Sequence, residues 1–157
     1  NCIIDKEGKF VFIDNGAICH AICHAPEFVN RSLFKFFEHL SKQELDEAFI
    51  ALLDMTNQKP TGKKMQKYMN KMGEIYFDFE KKPVGEQSLT RVMMQTVRAA
   101  VELANAEFGE EAFPIIRALM YLDGLVIRTH PDAMLIKSMG PYLDEFKFKL
   151  GLETALV

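Results

Sequence analysis

The chain has 157 residues, of which 48% are hydrophobic and 26% charged, and its formal net charge is −3 at pH 7. This length and hydrophobic content are typical of one domain with a sizeable core, so we expect a single domain over residues 1–157. A nucleic-acid-binding protein would favour a strongly basic surface, so we expect no nucleic-acid partner.

Three cysteines (Cys2, Cys19 and Cys23) cannot all pair within one chain, and we therefore expect a reducing compartment rather than secretion. The sequence has no run of about 18 apolar residues to span a bilayer and does not open like a signal peptide. Because the first residue is Asn rather than Met, we treat the sequence as a fragment.

The chain opens with two short apolar runs, 2–4 and 9–13, around an Asp-Lys-Glu-Gly turn, a pattern that predicts a β-hairpin. Asn1 precedes the first run, and Asp14 follows the second within an Asp-Asn-Gly turn closed by Gly16. Most such tripeptides are simply good turn sequences. A carboxylate at the end of a strand, however, is also a hard oxygen ligand suited to Mg²⁺. We therefore predict a metal-site hairpin over residues 1–16.

The next segment is Cys19-His20-Ala21-Ile22-Cys23-His24. If it is helical, the four-residue spacing places Cys19 beside Cys23 and His20 beside His24. Two metal-ligand pairs are conceivable there. The spacing does not fit a haem attachment motif, and no second Cys/His pair follows to complete a zinc site. We favour packed or solvated side chains over a metal site.

From residue 26 onward the apolar residues recur at helical spacing, which predicts a helical region over residues 26–150. Ser41 with Glu44 matches a capping box, and Ser88 is a candidate N-cap. The polar stretch 56–62 predicts a loop. We expect six helices, over about 26–40, 41–53, 62–82, 88–109, 113–128 and 141–150. The fifth has a predicted apolar face of Ile116, Leu119, Met120 and Leu122.

The segment 59–82 is basic, with seven Lys against three Asp or Glu. Its predicted helix has an apolar face of Met65, Met69, Met72, Ile75, Tyr76 and Phe79, with Lys63, Lys64, Lys67 and Lys71 mainly off that face. Such a helix suits an anionic membrane surface. We favour the alternative that it packs into the core and solvates its lysines.

No Ser/His/Asp elbow, Walker loop or Gly-x-Gly-x-x-Gly motif occurs, so the chain has no self-sufficient catalytic apparatus. His130 before Pro131 is interpreted as a helix terminus rather than a catalytic group. We therefore predict no catalytic residues in this chain.

The ordered segments NCIIDKEGKFVFIDNG, FDFEKKPVGEQSLTRVM, RALMYLDGLVIRTHPD and GPYLDEF resemble the C-terminal lobe of the UbiB/AarF family of atypical kinases, found in bacteria, mitochondria and plastids. In that family an Asn closes the catalytic loop, a hairpin follows, and an Asp-x-Gly turn binds metal. Protein kinases likewise hold two Mg²⁺ ions with a catalytic-loop Asn and a turn Asp. Asn1 and Asp14 take those places, with Gly16 as the turn glycine. Asn15 departs from the less polar residue usual there.

The resemblance implies a mainly α fold, the helical C-lobe of a protein-kinase-like fold with one short N-terminal β-hairpin. It also implies binding of ATP and Mg²⁺ at Asp14, Gly16 and Asn1, and a role in synthesis of ubiquinone or other prenyl-quinone lipids. The family's nucleotide-binding Lys and catalytic Asp would lie before Asn1, so this chain alone should not turn over ATP.

The implied partners are a nucleotide, quinone-pathway enzymes or lipid, and a peripheral membrane contact. The implied location is the bacterial cytoplasm or inner-membrane periphery, a mitochondrion or a plastid. A different class stays open: a non-catalytic helical pseudokinase, or a module that binds a partner or membrane through the Met/Lys helix.

Overall fold

The computed structural model describes residues 2–12, 27–56, 59–109 and 112–149. These residues are mainly helical. The elements are β1 (Cys2–Ile4), β2 (Phe10–Phe12), α1 (Glu27–Ser41), α2 (Leu45–Leu53), α3 (Gly62–Tyr76), a 3₁₀ turn (Phe79–Lys81), α4 (Leu89–Ala104), α5 (Ala112–Thr129) and α6 (Leu135–Lys149).

The predicted hairpin is confirmed over its described residues. β1 pairs antiparallel with β2, with Cys2 opposite Phe12 and Ile4 opposite Phe10. The Asp5 carboxylate accepts hydrogen bonds from the backbone N–H groups of Glu7 and Lys9 at 2.8 and 2.9 Å. Gly8 has a φ of +79°, a conformation that glycine adopts without steric cost. Local chemistry therefore closes this turn.

The helices share one core. α1 packs against α2 and α6, α3 packs against α2 and α4, and α5 lies against α4. The hydrophobic spacing of the sequence accounts for most of this packing, because residues three or four apart share a helix face. The largest fully buried apolar and aromatic side chains are Phe36, Leu40, Phe49, Leu53, Tyr68, Met72, Tyr76, Leu89 and Val92.

The capping box predicted for Ser41 and Glu44 is wrong. Ser41 ends α1, and its hydroxyl donates to the Glu38 carbonyl at 2.8 Å. Glu44 precedes α2, and its carboxylate contacts His39 Nδ1 at 2.6 Å. The backbone N–H of Glu44 donates to the His39 carbonyl, while Gln43 has a φ of +65°. This left-handed closure ends α1 and satisfies carbonyl groups of its last turn. Ser41 therefore belongs to the end of α1 and does not cap the start of α2.

The third helix ends six residues before its predicted end. α3 stops at Tyr76, and the chain turns so that Phe77 is 77% exposed while Phe79 is buried. The rings of Tyr76 and Phe79 meet edge to face with centroids 5.4 Å apart. Phe79 is therefore buried as predicted, although it lies in the 3₁₀ turn rather than in α3.

Two further predicted boundaries are wrong. α4 ends at Ala104 rather than near Gly109, because Asn105 adopts the left-handed conformation with a φ of 55°. α6 begins at Leu135 rather than at Pro141, which lies inside the helix. Burial of Ile136 and Leu143 along one face favours helix on both sides of this proline despite its missing N–H group.

The predicted apolar face of α5 is also wrong in part. Met120 and Leu122 are 46% and 41% exposed, whereas Asp123 is only 2% exposed. Leu119 packs against the core but is only partly buried. A polar side chain therefore occupies the most buried described position of α5. It is tolerated there because Asp123 accepts hydrogen bonds from the first residues of α4.

Two tyrosine hydroxyls are satisfied inside the core. Tyr68 donates to the Phe49 carbonyl at 3.0 Å. The Tyr76 hydroxyl lies 2.9 Å from Thr96 Oγ1, which itself donates to the Val92 carbonyl at 2.8 Å. Since Thr96 has one proton to give, Tyr76 is the donor between the two hydroxyls. Burial raises the pKa of both tyrosines, so they stay neutral.

Candidate functional site

The residues predicted to bind metal and nucleotide, Asn1, Asp14 and Gly16, lie outside the described residues. The Cys/His segment 19–24 also lies outside them. The described part of the predicted site is the hairpin, in which Cys2 pairs with Phe12. In the sequence, Asn1 directly precedes Cys2, and Asp14 follows Phe12 by two residues.

Within residues 2–12, 27–56, 59–109 and 112–149, no three His, Cys, Asp or Glu side chains cluster closely enough to share a metal ion. Over the same ranges, no helix combines the length and the apolar composition that a membrane crossing requires.

Two of the segments that carry the family resemblance, 77–93 and 117–132, meet in space. Their contact is made by Asp123 of α5 at the start of α4. The Asp123 carboxylate accepts hydrogen bonds from the backbone N–H groups of Leu89 and Thr90 at 2.9 and 3.0 Å. It also accepts one from the Ser88 hydroxyl at 2.5 Å. We call this arrangement the Asp123 cap.

Ser88 serves both helices. As predicted, it is the N-cap of α4, and its Oγ accepts a hydrogen bond from the Arg91 backbone N–H at 3.2 Å. Its proton goes to Asp123. The first N–H groups of a helix have no intrahelical partners and carry partial positive charge, so a carboxylate there is stabilised. One buried acid thus satisfies several donors of α4 and joins it to α5.

The electrostatics of the Asp123 cap favour the ionised acid. Burial raises the pKa of Asp123, but hydrogen bonds from Ser88, Thr90 and the backbone of Leu89 outweigh that effect. The resulting pKa lies below the ordinary aspartate value. Both oxygens of the charged form accept hydrogen bonds, so Asp123 is a structural anion and not a free acid or base.

A second contact joins the same two regions a few residues away. The backbone N–H of Gly85 donates to the Pro131 carbonyl at 2.8 Å, and that of Val84 donates to the Ala133 carbonyl at 3.0 Å. A Cβ atom at Gly85 would lie 3.0 Å from both Pro131 Cβ and its carbonyl oxygen. The segment 82–85 between the 3₁₀ turn and α4 therefore fits against the helix end predicted at His130, and Gly85 permits their close approach.

Beside this contact lies a cleft of about 230 Å³ between the end of α1, the 3₁₀ turn and the start of α6. We call it the lysine cleft. Its apolar lining comes from Leu40, Phe79, Val84, Leu89, Met134, Leu135 and Ile136, and its polar lining from Ser41, Lys42, Gln43, Lys82, Gln87 and Lys137. Among these lining residues there are three lysines and no acid.

Gln87 is the one lining side chain of this cleft whose buried oxygen, Oε1, has no hydrogen-bond partner among the described residues. The carbonyl oxygen of an amide is a good acceptor, and leaving it unpaired away from water costs about 1–3 kcal/mol. The lysine cleft thus combines an apolar floor with a cationic rim, whereas the Gln87 Oε1 atom is buried away from its open space. This composition suits a small anion that has an apolar body.

Sequence reasoning found the segments of this region but not their roles. Asp123 was visible as a single acid within an otherwise apolar stretch, a signal that a cap partner was needed. The lysine cleft gave no signal, because its residues come from 40–43, 79–89 and 134–137, which are far apart in the sequence.

No protein-family model, curated protein or solved structure matches the chain. The fold and the described contacts define a mainly helical domain in which segments 77–93 and 117–132 pack together.

Proposed function

We propose that this chain is the helical C-lobe of a UbiB-type atypical kinase or ATPase. In this proposal Asp14 and Asn1 bind Mg²⁺ at the phosphates of ATP, and Gly16 shapes the turn that presents Asp14. The protein would support the synthesis of ubiquinone or a related prenyl-quinone lipid, as the family resemblance implies.

The observation that supports the proposal most is the register of the hairpin. Cys2 pairs with Phe12 at the open end of the hairpin. The two candidate ligands are close in sequence to this pair, Asn1 one residue before Cys2 and Asp14 two residues after Phe12. In kinases the catalytic-loop Asn and the metal-binding turn Asp are separated by two short strands in the same way. The turn at the other end, built on Asp5 and Gly8, fixes this register.

The chemistry follows from charge and position. Phosphoryl transfer requires little covalent work from the protein, because positioning and neutralisation of the phosphate oxygens supply most of the catalysis. A carboxylate and an amide oxygen are suitable Mg²⁺ ligands. The nucleotide-binding Lys and the catalytic Asp of the family are not among residues 1–157, so turnover would depend on a second lobe.

The test is the thermal stability of the protein as its gene encodes it, with and without Mg-ATP, in native, Asp14→Ala and Glu7→Ala forms. Saturation at about 100 times Kd should stabilise the native protein by roughly 2.7 kcal/mol, a rise of several degrees. Asp14→Ala should abolish the rise. Glu7→Ala should retain it, because Glu7 is an exposed acid at the opposite end of the hairpin.

No rise in the native protein, or an equal rise in Asp14→Ala, would refute the nucleotide site. The alternative would then be a non-catalytic module that binds a partner or an anionic membrane through the lysines of α3. Lys63, Lys64, Lys67 and Lys71 are exposed there, while Met72 and Tyr76 are buried. Because the apolar face of α3 already packs in the core, such binding would be electrostatic and sensitive to salt.

A further inference from the structure

We propose that the solvent-facing side of α5 is a docking surface for an acidic amphipathic helix of a partner protein. The surface consists of Ala118, Tyr121, Leu122 and Leu125, and we call it the α5 stripe. It is separate from the hairpin, so it goes beyond the proposed nucleotide function and does not depend on it. The proposal rests on three properties of the described residues: helical spacing, exposure, and flanking charge of a single sign.

The α5 stripe lies on the side of the helix opposite to its packed face. Asp123 and Leu119 belong to the packed face, which meets α4 and the core. Among the described elements, α4 is the only one with which α5 makes extensive contact. The four residues of the stripe follow the spacing i, i+3, i+4 and i+7, so they form one continuous ridge. This is the spacing by which a helix contacts another helix.

The apolar side chains of the stripe are accessible to a partner. Tyr121 is 72% exposed, Leu122 41% and Leu125 37%, and Ala118 is also exposed. Single apolar residues at a surface are ordinary, whereas a contiguous apolar patch is typical of an interaction site. Tyrosine and arginine are the residue types that most often dominate the binding energy of such sites.

The charge beside the α5 stripe is positive along one flank. Arg117 and Arg128 are exposed there and lie about three turns apart, roughly 16 Å along the axis at 1.5 Å per residue. Neither forms a salt bridge with an acid of the described residues, and Arg128 does not pair with nearby Asp132. The single acid in the sequence of α5, Asp123, is buried against α4. The stripe is therefore complementary to a helix with apolar side chains on one face and carboxylates beside them.

A second copy of this chain would not supply the carboxylates. The exposed side of its own α5 has two arginines and no acid in its sequence. Two α5 helices packed antiparallel would place the arginines of both copies on the same flank, and like charges across an interface are unfavourable. An acid-bearing helix therefore fits the stripe better than a homodimer does.

A lipid surface also fits the stripe less well. Interfacial helices bury their apolar face about 5–10 Å into the headgroup boundary, which requires apolar side chains that stand clear of the protein. Leu122 and Leu125 are more than half covered by their own fold. Side chains of a helix laid across the ridge can contact them without such insertion.

The probe for the test is a synthetic helix of about five turns, with Leu at the a and d positions of its heptads and Glu at the e and g positions. A second peptide has Lys in place of Glu, and a third has the residues of the first in scrambled order. Fluorescence anisotropy measures their binding to the protein as its gene encodes it. The Glu peptide should bind saturably and roughly tenfold more tightly than the Lys peptide, because attraction at two arginines is replaced by repulsion. The scrambled peptide should not bind, and hydrogen exchange should show new protection in residues 116–129.

The apolar contribution is tested at Tyr121. Tyr121→Ser should weaken binding of the Glu peptide roughly tenfold, because it removes the most exposed apolar side chain of the stripe. Tyr142→Ser is the matched control, since Tyr142 lies on α6 and is 73% exposed. It should leave the affinity unchanged.

The charge contribution is tested by reversal. The double variant Arg117→Glu with Arg128→Glu should prefer the Lys peptide over the Glu peptide, a gain of function that loss of folding could not produce. Lys35→Glu with Lys81→Glu makes the same change of net charge at exposed positions of α1 and the 3₁₀ turn. This control should keep the native preference for the Glu peptide.

The proposal is overturned if the Glu peptide does not bind saturably up to millimolar concentrations, or if the new protection falls on the lysines of α3. It is also overturned if the scrambled peptide binds equally well or if the arginine reversal keeps the native preference. Dimerisation that Tyr121→Ser abolishes would assign the stripe to a second copy. Binding to phosphatidylglycerol vesicles that Tyr121→Ser abolishes, with peptide binding unchanged, would assign it to a membrane, and either result would overturn the proposal. None of these results bears on the Asp14→Ala test, which concerns a different part of the chain.

Discussion

The carboxylate of Asp123 on α5 accepts a hydrogen bond from the backbone N–H of Leu89 on α4 at 2.9 Å. The two residues are 34 positions apart in the sequence, and both are almost completely buried. Helix caps are usually provided by the residue that precedes the helix. Here Ser88 in that position shares the task with an acid from another helix, so capping and tertiary packing depend on one carboxylate.

Asp123→Asn should destabilise the protein. The amide has nearly the same volume, but it removes the charge and presents N–H donors to the N–H groups of Leu89 and Thr90. Hydrogen bonds to charged groups contribute about 1.5–3 kcal/mol, so a loss of about 2–3 kcal/mol is expected. Urea unfolding followed by circular dichroism measures it. Asp132→Asn, at an exposed acid, is the control. Equal midpoints for the two variants would contradict the structural role of Asp123.

The contribution of Asp123 should depend on pH in a defined direction. Its pKa in the folded state lies below the ordinary value of 3.8, so the unfolded chain binds the proton more tightly. Stability from this group is therefore fully present above about pH 4 and is lost as pH falls through the folded pKa. The difference in unfolding free energy between native and Asp123→Asn should stay constant from pH 8 to 5 and shrink below about pH 4. A difference that grows on acidification would exclude this linkage.

Gly85→Ala and Gly124→Ala should change stability in opposite directions. An added Cβ at Gly85 lies 3.0 Å from Pro131 and forces the two segments apart, a strain that typically costs about 1–3 kcal/mol. Gly124 lies in α5, and among the described residues no atom outside the helix's own backbone comes within 4 Å of a Cβ added there, so alanine should stabilise the helix by about 0.5–1 kcal/mol. Thermal unfolding of both variants tests the pair, and destabilisation by Gly124→Ala would be inconsistent with open space around it.

Thr96→Val should cost more than the combined change Thr96→Val with Tyr76→Phe. The single variant leaves the buried Tyr76 hydroxyl without its 2.9 Å acceptor, a loss of about 1–3 kcal/mol. Removing the hydroxyl as well eliminates the unsatisfied donor, so the double variant should recover much of the stability. A double-mutant cycle in urea gives the coupling between the two residues. Additive effects would show that the hydrogen bond is not the dominant interaction.

Local sequence chemistry accounted for the parts of the fold whose partners are close along the chain. The hairpin turn is closed by Asp5 and Gly8 within a few residues, and Ser88 caps the helix that it immediately precedes. Spacing also predicted that Met72, Tyr76 and Phe79 are buried. These features are decided by backbone dihedrals, short-range hydrogen bonds and helical periodicity, all of which can be derived from neighbouring residues.

Some of the wrong predictions were decided by distant residues, and others by a local left-handed residue at the end of a helix. Helix continues through Pro141 because Ile136 and Leu143 share one buried face. Ser41 lost its predicted role when a left-handed residue closed α1. At Pro141 the free energy of packing exceeded a local preference against helix of about 3 kcal/mol.

The sequence by itself determined a mainly helical chain with an N-terminal hairpin, and it carried the ordered motifs on which the proposed function rests. Only the tertiary structure decided that Asp123 is the partner of Ser88 and that Gly85 must lie against Pro131. It also created the lysine cleft, whose lining comes from three separated segments. Periodicity and turn chemistry act between neighbours, whereas a cleft or a shared cap exists only once distant helices are packed together.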